Sequence, residues 1–124
     1  MPSEKKCILI VEDDVIMGMQ MHELLENFGY EIAEIVSSGE SAIKAAQLNK
    51  PDLVFMDIRL KGSMDGIEAA KNIRFFSQVP ILFLTGYKNI DTAEQIKAIR
   101  NSFLVTKPFD PDDLGSMLKK IFCG

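Results

Sequence analysis

Five times along this chain, a short apolar run of strand length is followed by a longer amphipathic stretch with helical spacing. Cys7-Ile8-Leu9-Ile10-Val11 is continuous and rich in β-branched residues, the pattern of a strand covered on both faces. Met17, Met21, Leu24, Leu25 and Phe28 then keep helical spacing and stop at Gly29, which suits a helix C-terminus. Residues 30–36, from Tyr30 to Val36, predict a second strand whose polar members place it at a sheet edge. Ala42, Ile43, Ala46 and Leu48 mark a second helix that breaks before Pro51. Leu53-Val54-Phe55-Met56 is a third buried run, and Asp65-Gly66 opens a helix carrying Ile67, Ala70 and Ile73. Pro80 suits the first position of a fourth run ending at Leu84. Ala93, Ile96 and Ile99 predict a helix over about 91–100. Phe103-Leu104-Val105 is the fifth run. The last helix has Asp110 as N-cap and Pro111 at its first position, then Leu114, Met117, Leu118, Ile121 and Phe122.

Such alternation implies parallel strands joined by right-handed crossovers, with helices on both faces. Five units are too few for an eight-stranded barrel. The expected fold is therefore α/β, a doubly wound five-stranded parallel sheet. The 124 residues suffice for one domain with its own core. A hydrophobic fraction of 47% with 26% charged residues argues against disorder. No apolar run approaches the ~20 residues that cross a bilayer, and no leader pattern opens the chain. Cys7 and Cys123 form no metal-spaced motif and read as free thiols in a reducing cytoplasm. A net charge of −4 disfavours direct nucleic-acid binding.

Open sheets of this kind carry their ligand beyond the carboxyl ends of the strands, so the residues after each run matter most. Glu12, Asp13 and Asp14 follow the first run, Asp57 the third, Thr85 and Gly86 the fourth, and Thr106, Lys107, Pro108 and Phe109 the fifth. Each has an ordinary explanation alone: acids favour the start of a helix, an aspartate caps a turn, a loop lysine is solvated. Together they put carboxylates, a hydroxyl and an ammonium on one edge. Two carboxylates 5 Å apart repel by roughly 3 kcal/mol at an effective dielectric constant of 20. A proton or a cation must relieve them. Oxygen-only ligands select a hard ion, and a site this sparse suits Mg2+ (or Mn2+) better than calcium. With the ion present, Asp57 can act as a nucleophile toward phosphorus, while Lys107 and Thr85 serve phosphoryl oxygens.

Glu12-Asp13, Asp57, Thr85-Gly86 and Lys107-Pro108-Phe109, with Met64-Asp65-Gly66-Ile67-Glu68, resemble the receiver domain of two-component response regulators. The resemblance covers essentially the whole chain, 1–124, as a single receiver domain without an output domain, and implies the flavodoxin-like strand order 2-1-3-4-5. It implies that Asp57 takes a phosphoryl group from a phosphohistidine on a histidine kinase or His-phosphotransfer domain. Asp13, Asp57 and the Arg59 backbone carbonyl would hold the metal, with Glu12 acting through metal-bound water. Thr85 would move toward the phosphoryl group and Lys107 would pair with it. The Lys107–Pro108 bond is typically cis in this family. The signal would leave through the fourth helix, fifth strand and fifth helix to a downstream protein or a fused output domain. No direct nucleic-acid or membrane partner is implied.

Three departures from the family pattern stand out. Leu104 occupies the switch position that is usually Tyr or Phe, with Phe103 before it. Arg59 and Tyr87 flank the site and are expected to tune hydrolysis, two bulky side chains slowing the approach of water. The loop Leu60-Lys61-Gly62-Ser63-Met64 is one residue longer than usual, lacks the usual proline and is expected to be flexible.

Competing readings are a phosphohydrolase with an aspartyl-phosphate intermediate, a flavodoxin-like carrier and a phosphate-insensitive scaffold. The first needs an acid where Arg59 stands, and the second a phosphate loop where Glu12-Asp13-Asp14 would repel phosphate. The third is disfavoured by the full complement of key residues. Asp14 reads as a first-turn helix residue and His22 as solvent-facing. Met19 is expected to be exposed, and with Val15 and Ile16 to form a docking surface beside the site.

Overall fold

The computed structural model describes residues 5–86 and 90–123, with backbone alone for 90 and 91. The chain runs β1 (Cys7–Val11), α1 (Val15–Asn27), β2 (Glu31–Val36), α2 (Gly39–Asn49), β3 (Leu53–Asp57), α3 (Gly66–Ile73), β4 (Ile81–Thr85), α4 (Ile90–Lys97), β5 (Ser102–Thr106), α5 (Pro111–Cys123). The strands form one parallel sheet in the order β2-β1-β3-β4-β5, as expected. β3 and β4, inside the sheet, are buried along their whole length. β2 lies at the edge, where Glu31, Glu34 and Ile35 are exposed. This is the polar run that the sequence marked as an edge.

Because side chains alternate across a strand, the sheet divides the core in two. Leu9, Val11, Val54, Met56, Ile81 and Phe83 face one side, with Ala42 and Ala46 of α2, Ala70 and Ile73 of α3, and Ile96 of α4. Ile8, Ile10, Leu53, Phe55, Leu82 and Leu84 face the other, with Met21 and Leu25 of α1 and Leu114 and Leu118 of α5. Each fully buried Leu, Ile or Phe contributes about 1.5–3 kcal/mol relative to exposure. Two such layers need no staple, and Cys7 and Cys123 are both free.

Local chemistry sets the helix starts. Ser38 caps α2 and Asp65 caps α3, each accepting the amide three residues on. Asp110 accepts the Asp112 amide at 2.8 Å ahead of Pro111. Asp14, expected inside the first turn, is instead the N-cap of α1. Its backbone is extended, and its Oδ1 accepts the amides of Ile16 and Met17 at 3.0 and 3.2 Å. Leu48 does not join the apolar stripe of α2 and is 72% exposed. It sits two residues past Ala46, about 200° around the helix from that stripe. α4 stops at Lys97, short of Arg100, where the Ile99 amide turns back to the Ile96 carbonyl at 2.9 Å. His22 is partly exposed and reaches Glu26 at 3.3 Å.

Candidate functional site

β1, β3, β4 and β5 all end at one edge, because every crossover returns the chain in the same direction. Register does the rest. Met56 is level with Val11, Leu84 with Asp57, and Thr106 with Thr85. The residues that continue each strand therefore meet without any loop having to reach across.

Glu12, Asp13 and Asp57 converge so that one ligand oxygen of each lies within 4.8 Å of the others. At that spacing, two full charges repel by about 3 kcal/mol at an effective dielectric constant near 20. Glu12 is only 6% exposed and Asp57 only 7%, so water screens them poorly. Burial, and then a carboxyl hydrogen bond to Asp57, push Glu12 from its ordinary 4.5 up to about 7. The Asp14 amide, 3.2 Å from Glu12 Oε2, and the charge of Lys107 pull the other way without cancelling the rise. A proton thus relieves the cluster when no cation does. Three hard oxygen donors with no nitrogen or sulfur suit a divalent ion of the magnesium kind, so the donor set fits the expected cofactor.

Backbone amides aim the acids. Arg59 N–H points to Asp57 Oδ1 at 3.3 Å, and Lys61 N–H donates to Asp13 Oδ2 at 2.9 Å. Gly66 lets α3 start directly against the strand end. A Cβ there would collide with the Asp57 carbonyl oxygen and stand 3.0 Å from Ile58 Cα. The same glycine donates its amide to the Ile58 carbonyl at 2.8 Å. The family pattern in Met64-Asp65-Gly66 carries no sign that the glycine makes room for the acid's own backbone.

Thr85 is 5% exposed and its carbonyl accepts the Lys107 amide at 2.7 Å, which ties the lysine to the end of β4. Lys107 lies close enough for its charge to lower the Glu12 value, and the Lys107–Pro108 bond is cis, as the family pattern implied. Leu104 is half-buried against the α2–α3–α4 core, while Phe103 packs into the opposite one. Leu104 thus faces the same core layer as Ile96 of α4. Arg59 is exposed at the rim, and Tyr87 lies outside the described residues.

Two clefts flank the acids. One, of about 470 Å³, is lined by Glu12, Asp13, Val15, Met19 and Ile35. The other, of about 620 Å³, runs from Met17 and Met21 of α1 to Lys107, Pro108 and Phe109. Between them α1 presents Val15, Ile16 and Met19, which are 74%, 67% and 63% exposed. The expected apolar surface beside the site is therefore present.

A doubly wound sheet whose carboxyl edge gathers acids from two strands, beside a buried threonine and a lysine, defines a class of small α/β domain with an acidic site at that edge. The chain belongs to the response regulator receiver domain family, whose model matches residues 8–119. It is 36% identical to the transcriptional regulatory protein PdtaR of Mycobacterium tuberculosis over 86% of this chain and 52% of that protein. It is 28% identical to the phyllosphere-induced regulator PhyR of Methylorubrum extorquens over 91% of this chain and 42% of that one. The chain therefore spans about half the length of these relatives or less. Among solved structures, chemotaxis protein CheY4 of Vibrio cholerae superposes with a TM-score of 0.85 at 28% identity, covering 95% of this chain and 99% of that one. A LuxR-family response regulator from Aurantimonas gives 0.89 at 28%, covering 98% and 87%. Receiver domains are signalling modules of two-component systems, and that is the class of function shared here. No described helix is long and apolar enough to cross a membrane.

Proposed function

We propose that this domain is a phosphoacceptor switch in which Asp57 takes a phosphoryl group from a phosphohistidine on a histidine kinase or His-phosphotransfer domain. The observation that carries the reading is the convergence of Glu12, Asp13 and Asp57 within 4.8 Å. Glu12, Asp13, Asp57 and the Arg59 carbonyl would hold Mg2+ (or Mn2+), which when bound neutralises the charge gathered between carboxylate and phosphate. An Asp57 carboxylate oxygen attacks phosphorus, the P–N bond breaks, and its electron pair leaves with the imidazole. The Arg59 amide on Asp57 Oδ1 keeps that carboxylate from rotating, so one oxygen stays turned toward the incoming group. Lys107 meets one phosphoryl oxygen as a point charge and the Thr85 hydroxyl donates to another.

Hydrolysis of the aspartyl phosphate returns the switch to rest, and Arg59 at the rim, together with Tyr87, slows it. The domain promotes only its own phosphorylation and dephosphorylation and is no enzyme toward other substrates. Val15, Ile16 and Met19 dock the phosphodonor beside the acids. Thr85 and Leu104 carry the change to the α4–β5–α5 face, where a downstream protein or fused output domain reads it. Direct nucleic-acid or membrane contact has no part in this reading, and the setting is cytoplasmic. Residues 1–124 act as one receiver unit. Phosphorylation can shift this switch only by as much as it favours one state, and moving from 1:99 to 99:1 needs about 5.5 kcal/mol.

Incubation with a small-molecule phosphodonor, with and without magnesium, followed by intact-mass measurement, tests the reading. Wild type should gain one phosphoryl group only with magnesium, and Asp57→Asn none. Magnesium-independent labelling, or labelling that survives in the variant, would overturn it.

A further inference from the structure

We propose that Gly39 and Met64 form a seat that positions the β3–α3 loop, and through the Lys61 amide fixes Asp13 for cation binding. The inference rests on the phosphoacceptor reading only in requiring that Asp13 and Asp57 bind a divalent cation.

The loop that follows Asp57 leaves the sheet with one strong tie at each end. The Ile58 amide donates to the Leu84 carbonyl at 3.2 Å, and the Gly66 amide closes back on the Ile58 carbonyl at 2.8 Å. Between them Leu60 is buried, only 9% exposed, while Lys61, Gly62 and Ser63 are exposed. Gly62 has a φ of +101°, which turns the chain so that Met64 comes back to the protein. Met64 is half-buried against the α2–α3–α4 core. Its side chain occupies the space over Gly39, the first residue of α2: a Cβ on Gly39 would stand 2.8 Å from Met64 Cγ and Sδ and 3.1 Å from its Cβ. Real Cβ atoms do not come so near, so only glycine at 39 accepts Met64 as it lies.

Lys61 falls between the two apolar anchors, Leu60 and Met64. Its amide donates to Asp13 Oδ2 at 2.9 Å. That bond holds the Asp13 carboxylate, one oxygen of which lies within 4.8 Å of ligand oxygens of Glu12 and Asp57. The Arg59 carbonyl, expected to serve the same cation, sits in the same loop. Displacing Met64 therefore moves an Asp13 donor and a cation ligand at once. Partners of this kind, which orient a ligand without touching the metal, typically matter 10–100-fold in metal affinity. The pair are positioning residues, and the longer, proline-free loop expected to be loose is held through them.

The test is calorimetric titration of the whole chain with MgCl₂, alongside the ¹⁵N-amide resonance of Lys61. Gly39→Ala should weaken magnesium binding about tenfold and shift the Lys61 amide. Gly39→Ala with Met64→Ala should bind more tightly than Gly39→Ala alone, since the shortened side chain removes the collision. Unchanged affinity and an unmoved Lys61 amide in Gly39→Ala would overturn the inference, as would losses that simply add in the double variant. Should Gly39→Ala fail to fold, Met64→Ala alone must still weaken binding and shift Lys61, and silence there refutes the seat. If wild type itself binds no magnesium, the phosphoacceptor reading fails instead.

Discussion

Replacing Glu12 with Gln should stabilise the cation-free protein at mildly alkaline pH. Glu12 is held up at about 7 against an ordinary 4.5, first by burial and then by its hydrogen bond to Asp57. Between those two values the folded protein keeps a proton that the unfolded chain has lost. Stability must then fall as pH rises through that window, because the folded state binds more protons than the unfolded. At about 1.4 kcal/mol per pH unit, the interval from 4.5 to about 7 amounts to about 3 kcal/mol at most. Glutamine has the shape of the protonated acid: its amide can donate to Asp57, and its oxygen can still accept the Asp14 amide.

With EDTA present, Glu12→Gln should therefore match wild type near pH 5 and exceed it by about 3 kcal/mol near pH 8, roughly 10 °C in melting temperature. The chain has no tryptophan, so urea unfolding is best followed by far-ultraviolet circular dichroism. The difference between the two proteins isolates Glu12 from the other carboxylates. Magnesium at about a thousand times its wild-type dissociation constant should reverse the order, since binding to the folded state alone then adds about 4.1 kcal/mol and the variant has lost one of the acids. Two proteins with the same stability near pH 8 without metal would refute the claim that crowded acids strain this edge.

Two further substitutions probe the same neighbourhood. Gly66→Ala drives a methyl group into the Asp57 carbonyl and against Ile58 Cα, neither of which can rotate away. It should cost about 3 kcal/mol, at the upper end for overpacking, in urea unfolding, and a loss below about 0.5 kcal/mol would contradict the geometry. Arg59→Ala opens the exposed rim beside Asp57 and should hasten loss of the phosphoryl group, timed by mass spectrometry after the donor is removed. An unchanged or slower rate would show that the arginine does not shield the site.

Much of the architecture can be read along the chain, because burial leaves a periodic trace. Runs such as Ile8–Val11 and Leu53–Met56 are apolar throughout since both their faces are covered, and β2 is mixed since it has a neighbour on one side only. Asp110 before Pro111 marks a helix start by local chemistry that needs no partner. The sites of carboxylates, threonine and lysine after successive strands also follow, since parallel crossovers bring every strand end to one edge.

Short-range pattern fails where a residue's role depends on its angle or on a distant atom. Asp14 turned out to cap rather than continue a helix, a matter of one residue's backbone angles. Leu48 is apolar yet faces solvent, since nothing in its identity says which side of α2 it occupies.

Residue types and their order thus determined that acids would share the carboxyl edge of a parallel sheet. Tertiary structure alone decided that Glu12 and Asp57 come within hydrogen-bonding reach, that Gly66 clears space for the Asp57 backbone, and that Met64 rests on Gly39. The physical reason is distance. Electrostatic and steric energies change steeply over an ångström or two. Spacing along a chain sets which elements meet, while packing sets how closely.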